Sequence, residues 1–343
     1  MSRFTRLLLL LLVMLALCLA ACSDKEKEPS SSSDVSQAPV VDPNYPVAIG
    51  EIRIERRPKR IVSLSPALTE IICELGGRDR LTGISDYCDY PERVTNNLSC
   101  GTSALPDWGT MEEADPQIVF ASAQMSQQDT IRLQQMGAEV VILPPASDLD
   151  GIAEIYRTIG IILDGMEDGK RNGEQVFAPL RAGYEALEQA ANAQSSILGI
   201  YLRAVPLMMA TGDCYEQELL SLIGVENAAA EYYNWEYPAD QAVNLYPDLI
   251  FYDRSIDPTF FANSTIYNTT DAYKNNRMYP INALVFERQS RRMLEQLVEM
   301  FKLAHPNVDF HLDLDAPAAR DEASASEEED EDVLRLEDAT QLH

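Results

Sequence analysis

Twice along this chain a short apolar run turns into an amphipathic segment that stops at glycine, and this grammar constrains the fold more than any other feature. The first copy opens with Ile61-Val62-Ser63-Leu64 and passes through Ser65-Pro66. Serine suits a helix cap and proline its first turn. Leu68, Ile71, Ile72 and Leu75 then recur at helical spacing until Gly76-Gly77. Leu81 to Ile84 predicts a second strand, followed by the loop Asp86-Tyr87-Cys88-Asp89-Tyr90-Pro91. Ile118 to Ala121, preceded by Asp115-Pro116, predicts a third strand, residues 127–136 a helix ending at Gly137, and Val140 to Leu143 a fourth strand. The second half repeats this. Ile197 to Leu202 reads as a strand, Glu218 to Gly224 echoes Glu70 to Gly76, and Tyr246 to Phe251 echoes Asp115 to Phe120. Strands alternating with helices predict an α/β fold with parallel sheets. The repeat makes it two Rossmann-like lobes of parallel-rich sheet flanked by helices.

Between the halves, residues 167–195 are polar and lack a strand signal, but Val176, Leu180, Tyr184 and Leu187 keep helical spacing. A single long helix from one lobe to the other is predicted there. The lobes are then 46–166 and 196–311, with the ligand cleft between them and a last helix over roughly 287–304. From residue 306 onward the chain holds 13 acids against 2 bases, including the unbroken run Glu327 to Asp332. Like charges at that density repel and stay solvated. Residues 312–343 are therefore expected to form a disordered acidic tail.

The start of the chain reads as an address. Arg3 and Arg6 precede an apolar run, Leu7 to Leu17, that is short for a membrane-spanning helix and suits a signal peptide. It ends in Leu19-Ala20-Ala21-Cys22, small residues before a cysteine, which resembles a bacterial lipobox. Residues 1–22 then form a lipoprotein signal peptide, with the Cys22 thiol as the lipidation site. Residues 23–45, polar and rich in serine and proline, form a flexible tether. The expected location is extracytoplasmic, held by lipid to the outer face of the cytoplasmic membrane. Export permits disulfides among Cys73, Cys88, Cys100 and Cys214. Cys88 with Cys100 is the expected pair, since both sit in turn-rich sequence. Cys73 lies in an apolar helical run and reads as core.

Charge and residue types exclude several functions. A formal net charge of −28 repels phosphates and argues against nucleic acid as a partner. The 3 histidines fall at 305, 311 and 343, so a histidine-built metal cage or a Ser/His/Asp triad in the body is not expected. No glycine-rich phosphate loop or zinc spacing occurs. No catalytic residue, metal or cofactor is assigned, and an enzyme is not expected.

In open α/β sheets, ligands bind outside the carboxyl ends of the strands. Those ends carry loops at Ser65, at Tyr87 to Tyr90, at Ser122 to Gln124 and at Met209 to Gly212. Both tryptophans lie in polar loops with proline or glycine nearby, Trp108 in Leu105-Pro106-Asp107-Trp108-Gly109 and Trp235 in Asn234-Trp235-Glu236-Tyr237-Pro238. Their flat faces suit a broad planar ligand.

Over residues 58–310 the chain resembles the substrate-binding lipoproteins of ABC importers. The subclass is the one with a rigid interlobe helix, which serves vitamin B12, haem and iron–siderophore chelates. The resemblance is carried by Arg60-Ile61-Val62-Ser63-Leu64-Ser65-Pro66-Ala67-Leu68-Thr69-Glu70, by Asp86-Tyr87-Cys88-Asp89-Tyr90-Pro91 and by Lys302-Leu303-Ala304-His305-Pro306. Within that class it is most similar to the cobalamin-binding member, which implies a corrinoid cargo, cobalamin or cobinamide. The resemblance puts Tyr87, Trp108, Met209, Trp235 and Arg288 at the ligand, Arg288 through the motif Phe286-Glu287-Arg288, beside Ser65 at the first strand end. Ser122 and Leu284 depart from that pattern, standing where a tryptophan and an acid are expected.

The resemblance also implies a dimeric permease with a cytoplasmic ATPase as partner. One surface carboxylate per lobe would meet permease arginines: Asp240 in the second lobe, and Glu112 or Glu113 in the first, Glu112 being preferred. The receptor itself is expected to be a monomer. Haem or a ferric siderophore is the alternative cargo, and an exported enzyme or adhesin on the same scaffold the alternative of another class.

Overall fold

The computed structural model describes residues 42–314 of the 343-residue chain. The lipobox with Cys22, the tether up to residue 41 and the acidic run of the tail lie outside the described residues. Two short strands, β1 (Val47–Ile49) and β2 (Ile52–Ile54), form an antiparallel hairpin. Five parallel strands follow: β3 (Ile61–Ser63), β4 (Leu81–Ile84), β5 (Leu98–Ser99), β6 (Ile118–Ala121) and β7 (Glu139–Ile142), in the order β5-β4-β3-β6-β7. The second lobe holds β8 (Ile197–Ala204), β9 (Met208–Met209), β10 (Val225–Asn227), β11 (Leu249–Asp253) and β12 (Met278–Ile281). Its order is β10-β8-β11-β12, all parallel, with β9 folded back antiparallel on β8. The echoed segments thus occupy equivalent places, since β6 lies beside β3 and β11 beside β8.

The strands read as continuous apolar runs because helices cover both faces. Alternate residues serve opposite sides, as period-two geometry requires. Ile61, Phe120 and Val141 face one core, and Val62, Val119 and Val140 the other. In the second lobe Tyr201 and Phe251 face inward, and Ile200, Leu202 and Ile250 outward.

The helices are α1 (Pro66–Glu74), α2 (Trp108–Ala114), α3 (Gln127–Gln135), α4 (Leu149–Asp164), α5 (Met166–Asn192), α6 (Tyr215–Leu222), α7 (Thr259–Asn263), α8 (Asp271–Lys274), α9 (Ala283–Phe286) and α10 (Arg291–Ala304). The glycines that stop α1 and α6, Gly76 and Gly224, sit at φ 82° and 76°, where a Cβ would be strained.

The bridging element is α5, 27 residues long and so about 40 Å. It packs on α4 in the first lobe, then on α6 and α10 in the second. Leu180, Tyr184 and Leu187 are buried as their spacing predicts. The approach of α4 to α5 is backbone on backbone. A Cβ on Gly160 would lie 2.2 Å from the Gly169 carbonyl oxygen, and one on Gly169 2.0 Å from that of Gly160. The inner core runs unbroken from the first lobe, along α4 and α5, into α10. The halves are joined by packing as well as by the chain.

Two boundaries differ from expectation. The tether was expected to reach residue 45, but Tyr45 is buried and its hydroxyl donates to the Ile162 carbonyl at 2.9 Å. The tail was expected from residue 312, but Leu312 and Leu314 pack against the core, next to Phe310, whose ring meets Phe301 edge-on at 5.1 Å. In both places apolar side chains among polar neighbours carry the chain onto the fold.

Candidate ligand cleft

Strand order reverses beside the first strand of each lobe, between β3 and β6 and between β8 and β11. Such switch points open a crevice at the carboxyl ends. Here the two carboxyl edges are bridged, since Glu287 pairs with Arg203 of the second lobe while Arg288 pairs with Asp89 and Gln289 bonds Ala146 of the first. The segment between α9 and α10 crosses from the second lobe to the first and closes a cavity of about 200 Å³ lined by Ser65, Ser122, Leu143, Pro145, Arg288 and Gln289, among others. Ser65 precedes α1 without capping it by its side chain. Its carbonyl instead accepts from the Thr69 amide and the Thr69 hydroxyl, both at 2.9 Å.

The crossing is held by carboxylates of α1. Glu70, 1% exposed, accepts from Arg288 at 3.1 Å, from Arg292 at 2.9 Å and from the Ser290 hydroxyl at 2.5 Å. Arg288 also pairs with Asp89 and donates to the Tyr87 carbonyl at 3.1 Å, while Arg292 stacks over the Tyr90 ring, 4.3 Å from its centroid. One turn on, Glu74 accepts from the Tyr156 hydroxyl at 2.5 Å and the Arg291 amide at 3.3 Å. Burial pushes its carboxyl up to about 7 against those two bonds. Two carboxylates at the amino end of α10 suit the helix dipole.

On the second lobe, Arg203 lies between two acids, pairing with Asp253 and, at 2.6 Å, with Glu287. Glu287 also accepts from the Tyr201 hydroxyl at 2.6 Å, and burial raises its carboxyl above the usual range. Trp235 meets Tyr201 edge-on, centroids 6.1 Å apart. Its backbone is left-handed, φ 62°, held by its amide donating to Thr211 Oγ1 at 3.0 Å. With Val205, Met208 and Tyr233 it also lines a shallow concavity of about 720 Å³ on that edge.

The sequence-predicted residues are placed unevenly. Ser65 and Arg288 come together at the cavity. Arg288 is only 7% exposed and engaged by the first lobe, so it fastens the lobes here instead of facing an open cleft. Tyr87 is 70% exposed on the adjoining loop. Trp108 opens α2 at the carboxyl edge of the first lobe, under Arg132, whose guanidinium carbon is 4.1 Å from the ring centroid. Neither indole lines the 200 Å³ cavity. Met209 corrects an expectation: it is fully buried among Ile200, Leu202 and Ile250, because β9 turns it into the outer core. The pairing of Cys88 with Cys100 is corrected as well. Both are free thiols on opposite faces of the sheet, Cys88 bonding Thr69 Oγ1 at 3.2 Å and Cys100 packing against Val62 and Met111. Asp240 stands exposed, while Glu112 pairs with Arg132 at 2.9 Å.

Sequence reasoning missed the roles of Glu70, Asp89, Gln289 and Arg292. Glu70 carried a signal, an acid among Leu68, Thr69, Ile71 and Ile72 in an otherwise apolar helix face. Among the described residues no group of His, Cys, Asp and Glu is arranged to hold a metal ion, and no helix is long and apolar enough to cross a membrane.

Paired α/β lobes bridged at their carboxyl edges, with one long helix packed on both, define a class of two-lobed ligand-binding proteins. The chain belongs to the periplasmic binding protein family, whose profile matches residues 61–283. That places it among the substrate-binding components of ABC transporters. It is 24% identical over 275 residues, 77% of this chain and 87% of the relative, to an uncharacterized ABC transporter substrate-binding lipoprotein of Bacillus subtilis. To a cobalamin-binding protein of Halobacterium salinarum it is 22% identical over 292 residues, 81% of this chain and 78% of the relative. The solved periplasmic heme-binding protein RhuT of Roseiflexus shares the fold at TM-score 0.64 and 19% identity, over 72% of this chain and 98% of that one.

Proposed function

We propose that the protein is a lipid-anchored receptor that captures a corrinoid between its lobes and hands it to a dimeric permease driven by a cytoplasmic ATPase. The observation that carries this reading is one indole at the carboxyl edge of each lobe, Trp108 at the start of α2 and Trp235 in the loop after β10, with the two edges bridged by Arg288 and Gln289. The present cavity of about 200 Å³ is far smaller than a corrin ring with its amide arms. Loading therefore requires the lobes to part along the polar seam from Glu70 to Gln289, while the unbroken core through α5 limits the opening. Anchoring would come through Cys22, and docking through Asp240 and Glu112.

The test is a titration of the purified mature protein with cobinamide, cobalamin, haem and a ferric chelate, followed by tryptophan fluorescence. Sub-micromolar quenching by a corrinoid, weakened in Trp108→Ala and Trp235→Ala, is expected. Chemical turnover of any of these compounds, or quenching by none, would overturn the proposal.

A further inference from the structure

The guanidiniums around the interlobe cavity are already spoken for. Arg203 faces Asp253 and Glu287. Arg288 and Arg292 share Glu70 and Asp89, with Arg288 at 3.1 Å and Arg292 at 2.9 Å from Glu70. Three cations thus meet four carboxylates, and Glu70 is 1% exposed. The loops that follow β4, β5, β10 and β11 add Asp86, Asp107, Glu231, Glu236, Asp240 and Asp257, all exposed and none of them lining the cavity. Arg93 and Arg254 are exposed on those loops without a carboxylate partner among the described residues, and neither lines the cavity. A charge leaving water needs a counter-charge or several hydrogen bonds to replace its hydration. An anion entering the parted cleft would find Arg203 neutralised within its own lobe by Asp253 and Glu287, and each guanidinium released from the seam, Arg288 and Arg292, matched by a released carboxylate, Glu70 and Asp89.

We infer that the cleft admits cargo without net negative charge and rejects anionic chelates. The cationic corrinoid cobinamide is the favoured class of ligand, and haem with its two propionates the disfavoured one. This rests on the reading of the cleft as the cargo site, and it adds a sign of charge that the family does not fix. The ion pairs make selection by repulsion as much as by attraction. Arg203 is the lever: freed of Asp253 and Glu287, it becomes a cation able to meet a carboxylate.

The experiment uses the purified mature protein and three probes: cobinamide, haem and a cationic ferric trihydroxamate. Cobinamide is expected to bind at least about a hundredfold tighter than haem, with its affinity falling as ionic strength rises. In Asp253→Asn/Glu287→Gln, haem affinity should rise at least about tenfold relative to cobinamide. Haem binding the wild type as tightly as cobinamide, or cobinamide binding that strengthens with salt, overturns the inference even if the double variant does not fold. Binding of none of the three overturns it as well. Binding of the cationic ferric chelate alone, with haem rejected, removes the corrinoid reading and leaves the charge rule standing.

Discussion

The side-chain amide of Gln289 pairs with both main-chain polar groups of Ala146, accepting from its N–H and donating to its carbonyl, each at 2.7 Å. One residue of the second lobe thereby satisfies a residue of the first much as a neighbouring strand would. Two complementary bonds also fix the register of the crossing segment, so Gln289 sets where Arg288 and Ser290 fall.

Gln289→Ala removes both bonds and leaves the Ala146 groups to find water at a partly buried seam. A loss of about 1–3 kcal/mol of stability is expected. Denaturant unfolding measures it, and amide exchange should quicken around residue 146 while β3 and β8 stay protected. Unchanged exchange at that residue would show that the contact does not hold the lobes.

Glu70 is the shared acceptor of Arg288, Ser290 and Arg292. Glu70→Ala leaves the Arg288 guanidinium buried with only the exposed Asp89 as counter-charge, and about 3–5 kcal/mol is expected to be lost. Replacing both members, as Glu70→Leu with Arg288→Met, should recover most of that, because an apolar pair needs no compensating charge. The four-variant cycle, read by denaturation, gives the coupling directly.

The carboxyl of Glu74 is pushed up to about 7 by burial, against an ordinary value near 4.5. A raised carboxyl means that the folded chain binds the proton that the unfolded chain has released. Its contribution is fully present below about pH 4.5 and is lost as pH rises to about 7, at most roughly 3 kcal/mol for this shift. Glu74→Gln keeps the shape and removes the titration, so the slope of stability against pH over that window should flatten. A slope identical to wild type would refute the assignment.

Much of the fold was legible because period and punctuation agree. Apolar runs of three or four residues, each leading through a turn to a helix, gave β3, β4, β6, β7, β8 and β11, and the echoed Glu70 and Glu218 segments became α1 and α6. The long helix was found from four residues at helical spacing, although α4 beside it was not, its apolar face at Ile152, Ile155, Tyr156 and Ile159 going unread. The site was less legible, since what closes the cleft is contact between residues more than 200 positions apart, such as Glu70 with Ser290. Nothing local in Met209 separates a ligand contact from a core residue. Whether a cysteine pairs depends on the face of a strand or loop, which Cys88 and Cys100 reveal only once the sheet is built.

The contact of α4 with α5 offers a test of the interlobe stiffness. Gly160→Ala places a methyl carbon about 2.2 Å from the Gly169 carbonyl oxygen, so the helices must separate. A cost of about 1–3 kcal/mol is expected from such overpacking. Cargo dissociation should also quicken, because the unbroken core along α5 is what limits the opening. A variant with wild-type stability would show that the two backbones yield at that crossing.

The last prediction concerns delivery. Glu112 is exposed and its pair with Arg132 spans 2.9 Å at the surface, a contact of about 0.2–1 kcal/mol that a permease guanidinium could replace at little cost. Asp240 is exposed at the start of the turn Ala239–Asn244 and has no guanidinium partner among the described residues. Charges of this kind steer and orient encounter more than they add affinity. Asp240→Ala and Glu112→Ala should leave cargo affinity unchanged and cut uptake by cells, with the double variant nearly inactive. Arg132→Ala frees Glu112 but also uncovers the Trp108 ring, so at cargo concentrations that saturate the variant its uptake should match wild type. Normal uptake by the double variant, with cargo still bound, would take the docking role away from both carboxylates.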